Sequence, residues 1–244
     1  MTEFSLTPSA YIRGHPLYTP LAGKLARDTS LRVFGVQYRK CLDDASAFPA
    51  PLLDTLAAWR CLTTTLGFAP SNILVTGESA GGHLTLALVQ QLSALDLPLP
   101  GAIAICSPWV DMTMSLPSWQ RNKNDILCKP ALELAVRSAT RHYDESTKAG
   151  WFSPAFAPKG HWSFLAAVPA FVSVGTAEAF EDEIEKLAEG MRGDGVDVTL
   201  WRVSGASCGG LKSHVSEGEE MGRVSLRYAL RQCSPSHDLI CVPR

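Results

Sequence analysis

The segment 73–84, ILVTGESAGGHL, constrains the fold of this chain more than any other part of its sequence. An apolar run typical of a buried strand leads directly into GESAG, and residues that favour a helix follow. The small residues Gly77 and Gly81 permit a sharp strand-to-helix turn, which lifts the Ser79 hydroxyl out of the backbone toward solvent. The sequence therefore predicts an exposed nucleophile at the carboxyl end of a buried strand.

The rest of the chain alternates short β-rich runs with longer helical ones, a pattern typical of a mostly parallel sheet flanked by helices. The predicted strands cover residues 31–38, 73–77, 102–107, 170–175 and 196–203, and the predicted helices cover 17–28, 51–66, 80–95, 131–143, 181–192 and 217–231. We predict an α/β fold in a single domain over residues 1–244. Residues 112–159 surround a single predicted helix with prolines and aromatic residues, which predicts a lid insertion; an ordinary long connection with packed aromatics is the alternative.

The composition excludes several classes of function. The chain has 46% hydrophobic and 19% charged residues and a net charge of −2, with no cluster of Lys and Arg, so neither nucleic acid nor an anionic membrane surface is a predicted partner. No apolar stretch reaches the roughly 20 residues of a membrane span. The seven cysteines are scattered without a CxxC motif and the N-terminus lacks a signal-peptide pattern, which favours a cytoplasmic location. Because GxGxxG, Walker A and HExxH motifs are absent, no cofactor or metal is predicted.

Motifs on both sides of Ser79 are similar to those of a known family. GESAGGHL resembles the GDSAGG motif of the hormone-sensitive-lipase-like branch of the α/β-hydrolase fold. The other matching segments are GHPLYTPL at 14–21, YR at 38–39, FPA at 48–50 with Asp54, SPWVD at 107–111 and SP at 153–154. The resemblance extends over residues 11–200. It implies an α/β-hydrolase fold and a serine esterase or lipase that acts on a small-molecule ester.

A carboxylate and a histidine are needed to activate the serine. A histidine must take the proton of the hydroxyl, and an acid must orient that histidine. In this fold the acid follows the serine in the chain and precedes the histidine. Glu178, after predicted strand 170–175, is similar to the family's acid position. Asp182 is the alternative, but the helix dipole alone explains a carboxylate in the first turn of a helix.

Two of the six histidines follow Glu178 in the chain, His214 and His237. We predict His214 as the base, because the helix predicted at 217–231 resembles the family's final helix and should begin just after the base. The apparently inserted segment 207–213 is a departure from the family pattern, and His237 stays open as the alternative. His83 lies one turn after Ser79 on the same helix and is expected to pack.

The family's oxyanion hole uses the amide after the nucleophile together with the amides of an HGGG motif. Aligning Tyr11 with the aromatic residue after that motif places TPSA (7–10) on it, with residues 3–6 as a short strand. The resemblance thus implies Ala80, Ser9 and Ala10 as oxyanion donors. The first strands of the fold are expected to be missing, which would leave strand 31–38 as an exposed edge that invites association between copies.

Two functional hypotheses follow. The first is a carboxylesterase-like serine hydrolase for a small or medium apolar substrate. The family that this chain resembles includes tailoring hydrolases of biosynthetic pathways. Trp119, Trp151 and Phe152 would line its pocket or, equally, pack in the core. The second is a catalytically weakened hydrolase-fold protein that binds without turnover, suggested by the altered HGGG region and the displaced histidine.

Overall fold

A six-stranded sheet organises the part of the chain that the computed structural model describes, namely the backbone of residues 2–6 and residues 26–27 and 30–207. The strands are β1 (Thr2–Leu6), β2 (Arg32–Val36), β3 (Ile73–Glu78), β4 (Ala102–Cys106), β5 (Ala170–Gly175) and β6 (Val198–Val203). They lie in the order β2-β1-β3-β4-β5-β6, and every neighbouring pair is parallel. The predicted α/β class is therefore confirmed, as is the short strand expected at residues 3–6.

Four of the α-helices within these residues follow predicted ones with shifted ends, and two short ones do not. They are α1 (Ala50–Arg60), which continues into a π-helical turn (Cys61–Thr65), α2 (Ala80–Ala94), α3 (Ser118–Arg121), α4 (Lys129–Ala139), α5 (Glu145–Ala149) and α6 (Glu181–Gly193). Apart from the helical residues 26–27, the helix predicted at 17–28 lies outside the described residues, and so does the helix predicted at 217–231.

The central strands are buried because helices cover both faces of the sheet. All six residues of β5 are buried, and four of the five in β4. Such strands are nearly continuous in apolar residues, which made them easy to predict from the sequence. Helix α2 is also buried along most of its length, including Leu84, Leu86 and Leu88 at 0% exposure, so it lies at the centre of the core.

The parallel register brings the carboxyl ends of the strands to one edge of the sheet. Leu6 lies opposite Gly77, Gly77 opposite Ile105, and Gly175 opposite Val203. Strand β2 forms one margin of the described sheet, as expected for the predicted strand 31–38. Ligands of open α/β sheets bind outside the carboxyl ends of the strands, so this edge is where a site is sought.

Residues 112–159 contain three α-helices, α3 to α5, where the sequence predicted one. The two short helices went unpredicted because segments of four and five residues carry too little periodicity. Trp119 and Phe152 are buried and belong to the hydrophobic core, whereas Trp151 keeps 37% of its surface exposed. The core-packing interpretation is thus favoured for the first two aromatic residues. None of the helices described is long and apolar enough to cross a bilayer.

Candidate active site

Ser79 occupies the sharp turn between β3 and α2. Its backbone has φ 55° and ψ −120°, a conformation that costs a non-glycine residue about 1–3 kcal/mol. Three backbone hydrogen bonds hold it: the Ser79 N–H donates to the Cys106 carbonyl (3.0 Å), and the Ser79 carbonyl accepts from His83 (3.1 Å) and Trp109 (3.0 Å). The surrounding structure therefore maintains the strained turn, with the partly buried Ser79 at its apex.

Glycines make this turn possible because the backbone passes close to itself. A Cβ atom on Gly77 would lie 2.2 Å from the Gly81 carbonyl oxygen, and one on Gly82 would lie 2.6 Å from Cβ of Pro108. Real Cβ atoms essentially never approach other heavy atoms within 3.0 Å. Gly77 and Gly82 of the GESAGG pattern are thus required by the geometry of the turn itself.

Donors for an oxyanion are available at the start of α2. Ala80 is its first residue, and the amides of the first helical turn lack acceptors within the helix. The positive end of the helix dipole adds to their attraction for negative charge. The other two predicted donors, Ser9 and Ala10, lie outside the described residues. The chain leaves β1 at Leu6, directly opposite Gly77 and therefore beside the turn.

Glu178 lies in the loop after β5, fully buried. The Ser107 hydroxyl donates a hydrogen bond of 2.5 Å to its Oε1, while its Oε2 is buried without a partner among the described residues. Burial raises the pKa of Glu178 to about 8, and the hydrogen bond from Ser107 opposes that rise. A buried carboxylate oxygen without a donor is unfavourable, so this atom marks the place where a further donor fits. Sequence reasoning missed Ser107, although its SPWVD motif was recognised.

The loop that carries Glu178 is held from both sides by residues that follow α3. The Asn122 side-chain amide donates to the Glu178 carbonyl (2.6 Å), and the Ala179 N–H donates to Asp125 Oδ2 (2.8 Å). These contacts fix the peptide unit between Glu178 and Ala179, because one holds its carbonyl and the other its N–H. The position of the carboxylate therefore depends on the segment 112–159 as well as on β5.

Asp182, the alternative acid, has structural partners instead. It accepts a hydrogen bond from the Ser118 N–H (2.8 Å) and forms an ion pair with Arg121 (2.5 Å). The next residue, Glu183, is buried and accepts from the N–H groups of Val110 (2.8 Å) and Asp111 (3.0 Å). Because Asp182 is occupied in joining α6 to α3, its contacts favour Glu178 as the acid.

His83 packs as expected. It is 1% exposed, and its ring stacks on Phe152 with the centroids 6.0 Å apart. Burial lowers the pKa of His83 to about 3, so the ring is neutral at physiological pH. The two candidate bases, His214 and His237, lie outside the described residues.

The segment that carries both candidate bases begins beside Glu178. The Ala177 N–H donates to the Ala206 carbonyl (3.0 Å), and the Gly205 N–H donates to Thr176 Oγ1 (2.9 Å). The chain therefore passes the acid loop at residue 206, eight positions before His214.

Ser79 and Glu178 follow strands that lie on either side of β4. Neighbouring strands are about 4.8 Å apart, which separates the ends of β3 and β5 by roughly 10 Å. An imidazole with a hydrogen bond at each ring nitrogen spans roughly 8 Å between its two partners. The carboxyl edge of the sheet thus leaves room for one imidazole ring between hydroxyl and carboxylate. In the part of the chain described, no group of three or more His, Cys, Asp or Glu side chains is arranged to hold a metal ion.

Comparison with known proteins bears on this arrangement. The profile of a family described as alpha/beta hydrolase fold matches residues 10–209. The chain is 29% identical over 201 residues to an acetyl-hydrolase of Streptomyces hygroscopicus, covering 82% of this chain and 64% of that protein. It is 28% identical over 220 residues to an ethyl acetate hydrolase of Pseudomonas putida, covering 87% and 66%. It thus spans slightly less than two thirds of the length of these relatives.

A solved structure extends the comparison to three dimensions. A crystal structure of an esterase from the bacterial hormone-sensitive lipase family superposes with a TM-score of 0.81 at 26% identity, covering 96% of this chain and 77% of the other. The fold of this chain thus matches an architecture that is already known.

Proposed function

Because this chain belongs to the α/β-hydrolase fold family, we propose that it is a serine carboxylesterase for small or medium apolar esters. The matches confirm the resemblance to hormone-sensitive-lipase-like esterases. One observation carries the proposal: a strained serine at the tip of β3 stands two strands from a buried carboxylate whose second oxygen has no described partner. Only a third group between them is needed to complete a Ser-His-acid arrangement.

The mechanism assigns one task to each group. Ser79 Oγ attacks the carbonyl carbon of the ester while His214 takes the hydroxyl proton, and the same imidazole later donates a proton to the departing alkoxide. Water then cleaves the acyl-enzyme with the histidine again as base. Glu178 Oε2 accepts a hydrogen bond from the imidazole N–H, which stabilises the ionised carboxylate against the effect of burial.

The developing oxyanion needs at least two donors. We assign one to the Ala80 N–H and the other to Ser9 or Ala10, which follow β1 in the sequence. Loss of one such donor typically reduces kcat by about 100- to 1,000-fold. The activity of the protein therefore depends on a backbone conformation at Ser9 or Ala10 that presents an N–H to the site.

The substrate is proposed from the names of the relatives. An acetyl-hydrolase and an ethyl acetate hydrolase both act on short acyl groups by name, so a short acyl ester is the proposed substrate here. A tailoring step in a biosynthetic pathway fits the same chemistry. Residues 112–159 are proposed to cover the site as a lid, which is supported by the contacts of Asn122 and Asp125 with the loop of Glu178.

Two further proposals concern the setting of the protein. Three cysteines, Cys41, Cys61 and Cys128, are free thiols in the described residues, which supports a reducing, cytoplasmic location. Strand β2 at the margin of the described sheet supports association between copies through strand pairing, which light scattering after size-exclusion chromatography would detect.

The experiment that tests the function is hydrolysis of p-nitrophenyl acetate, butyrate and octanoate by the wild type and Ser79→Ala, with fluorophosphonate labelling in parallel. We expect the wild type to favour the two shorter esters and to be labelled, and Ser79→Ala to lose both properties. A buried control, Ser173→Ala, should retain them, because Ser173 lies within β5 rather than at the turn. A folded wild type without turnover or labelling would overturn the esterase proposal in favour of a binding role.

A further inference from the structure

We infer that Ser107 is a positioning residue, which holds Glu178 so that Oε2 faces the histidine of the triad. This inference rests on the proposed function. Ser107 is 1% exposed and follows the last residue of β4, which lies between β3 and β5, the strands that precede Ser79 and Glu178. It reaches Glu178 across 71 residues of sequence, and its contact is therefore a product of the tertiary fold.

The two carboxylate oxygens of Glu178 have different surroundings. Oε1 accepts the 2.5 Å hydrogen bond from the Ser107 hydroxyl, and Oε2 stays without a described donor. With one oxygen held, the carboxylate cannot rotate about its terminal torsion without breaking that bond. The backbone is fixed as well, by Asn122 at the Glu178 carbonyl and by Asp125 at the next N–H. The remaining oxygen thus has a defined direction.

Ser107 also favours the charged form of Glu178 against its surroundings. Burial disfavours ionisation, and the like charges of Glu78 at the end of β3 and Asp125 after α3 act in the same direction. Ser107 is the one side chain among the described residues that donates to this carboxylate. A hydrogen bond to the ionised form opposes these effects and keeps more of the acid charged at neutral pH.

The backbone of Ser107 is itself constrained. Its φ of 41° lies in the left-handed region, and its N–H donates to the Ser173 carbonyl of β5 (2.9 Å). The hydroxyl is therefore aimed by a conformation that most residues avoid. Substitution must separate the effect of the hydroxyl from that of the backbone. Ser107→Gly removes the hydroxyl in a residue that tolerates this φ, and Ser107→Ala removes it while Cβ is retained.

The test compares Ser107→Ala and Ser107→Gly with the wild type and with Ser173→Ala. Ser173 is also a buried serine, within β5, but its hydroxyl has no described partner. The first readout does not need activity: carbon-13 NMR titration of protein labelled at the glutamate carboxyl carbons, with the Glu178 signal assigned by Glu178→Gln. We expect both Ser107 variants to raise the pKa of Glu178 by about one unit or more, and Ser173→Ala to leave it unchanged.

The second readout is the pH profile of ester hydrolysis. With Ser107 substituted, the acidic limb of the kcat–pH profile should move to higher pH by the same amount. The reason is that Glu178 must be ionised to orient the histidine, and its higher pKa in the variant delays that ionisation to higher pH. KM should stay within about twofold of wild type because buried Ser107 does not face solvent. An unchanged Glu178 pKa in both variants, or an equal shift in Ser173→Ala, would overturn the positioning role. A wild type with no hydrolysis or fluorophosphonate labelling would instead overturn the proposed function.

Discussion

The substitution Gly77→Ala probes the turn on which the proposed chemistry depends. The added methyl carbon would lie 2.2 Å from the Gly81 carbonyl oxygen and 2.4 Å from its carbon, and 2.7 Å from Thr85 Oγ1. Ordinary contacts lie at roughly 3.5 Å, so the overlap exceeds 1 Å. Two of the three atoms belong to the backbone of α2 and cannot be relieved by a rotamer change. The turn and the helix must therefore move apart.

The expected cost follows from that displacement. Overpacking in a well-packed core destabilises by about 1–3 kcal/mol, and the backbone clash places this variant near the upper value. For a chain of this size, about 3 kcal/mol corresponds to a decrease in Tm of roughly 6–12 °C. A shift of about 1 Å at the nucleophile also reduces catalysis by roughly 100-fold.

The assay combines thermal unfolding, followed by circular dichroism, with p-nitrophenyl acetate hydrolysis. Gly35→Ala is the matched control, since Gly35 also lies in a strand and an added Cβ would meet nothing within 4 Å. We expect the control to keep or slightly raise Tm, because alanine loses less conformational entropy on folding. If Gly77→Ala unfolded within 2 °C of wild type, the close passage of β3 and α2 would be refuted regardless of activity.

Three other predictions address the triad and the core. His214→Ala should abolish hydrolysis while His237→Ala keeps most of it; kcat measurements with the opposite result would make His237 the base. The free energy of unfolding should fall as pH rises from about 4.5 toward 8, because Glu178 stays protonated in the folded state but ionises in the unfolded state. An imidazole that donates to Oε2 lowers the pKa of Glu178 in the folded state, so the fall then ends at a lower pH. In urea titrations across that range Glu178→Gln should show a shallower fall, and an identical slope would contradict the assignment. Phe152→Ala should destabilise by about 3–5 kcal/mol and Trp151→Ala by clearly less, since Phe152 is fully buried and Trp151 is 37% exposed; equal losses in chemical denaturation would argue against this view of the core.

Local patterns in the sequence were enough to predict the sheet and the turn. The strand β5 and the helix α6 follow from apolar runs and helical periodicity, which neighbouring residues specify by themselves. The same holds for the turn at Ser79, because Gly77 and Gly82, the two glycines that its close packing requires, lie within a span of six residues. The geometry of the turn is thus determined by residues that are adjacent in the sequence.

Only the tertiary structure decided how distant groups meet at the carboxyl edge of the sheet. The hydrogen bond between Ser107 and Glu178 joins residues 71 positions apart, and Asn122 and Asp125 reach the acid loop from a segment without clear periodicity. Nothing local marks such pairs, since their proximity arises from parallel strand order and from the path of residues 112–159. The sequence alone determined which residues can do the chemistry, whereas the packing of the sheet decided which carboxylate is buried, held and directed.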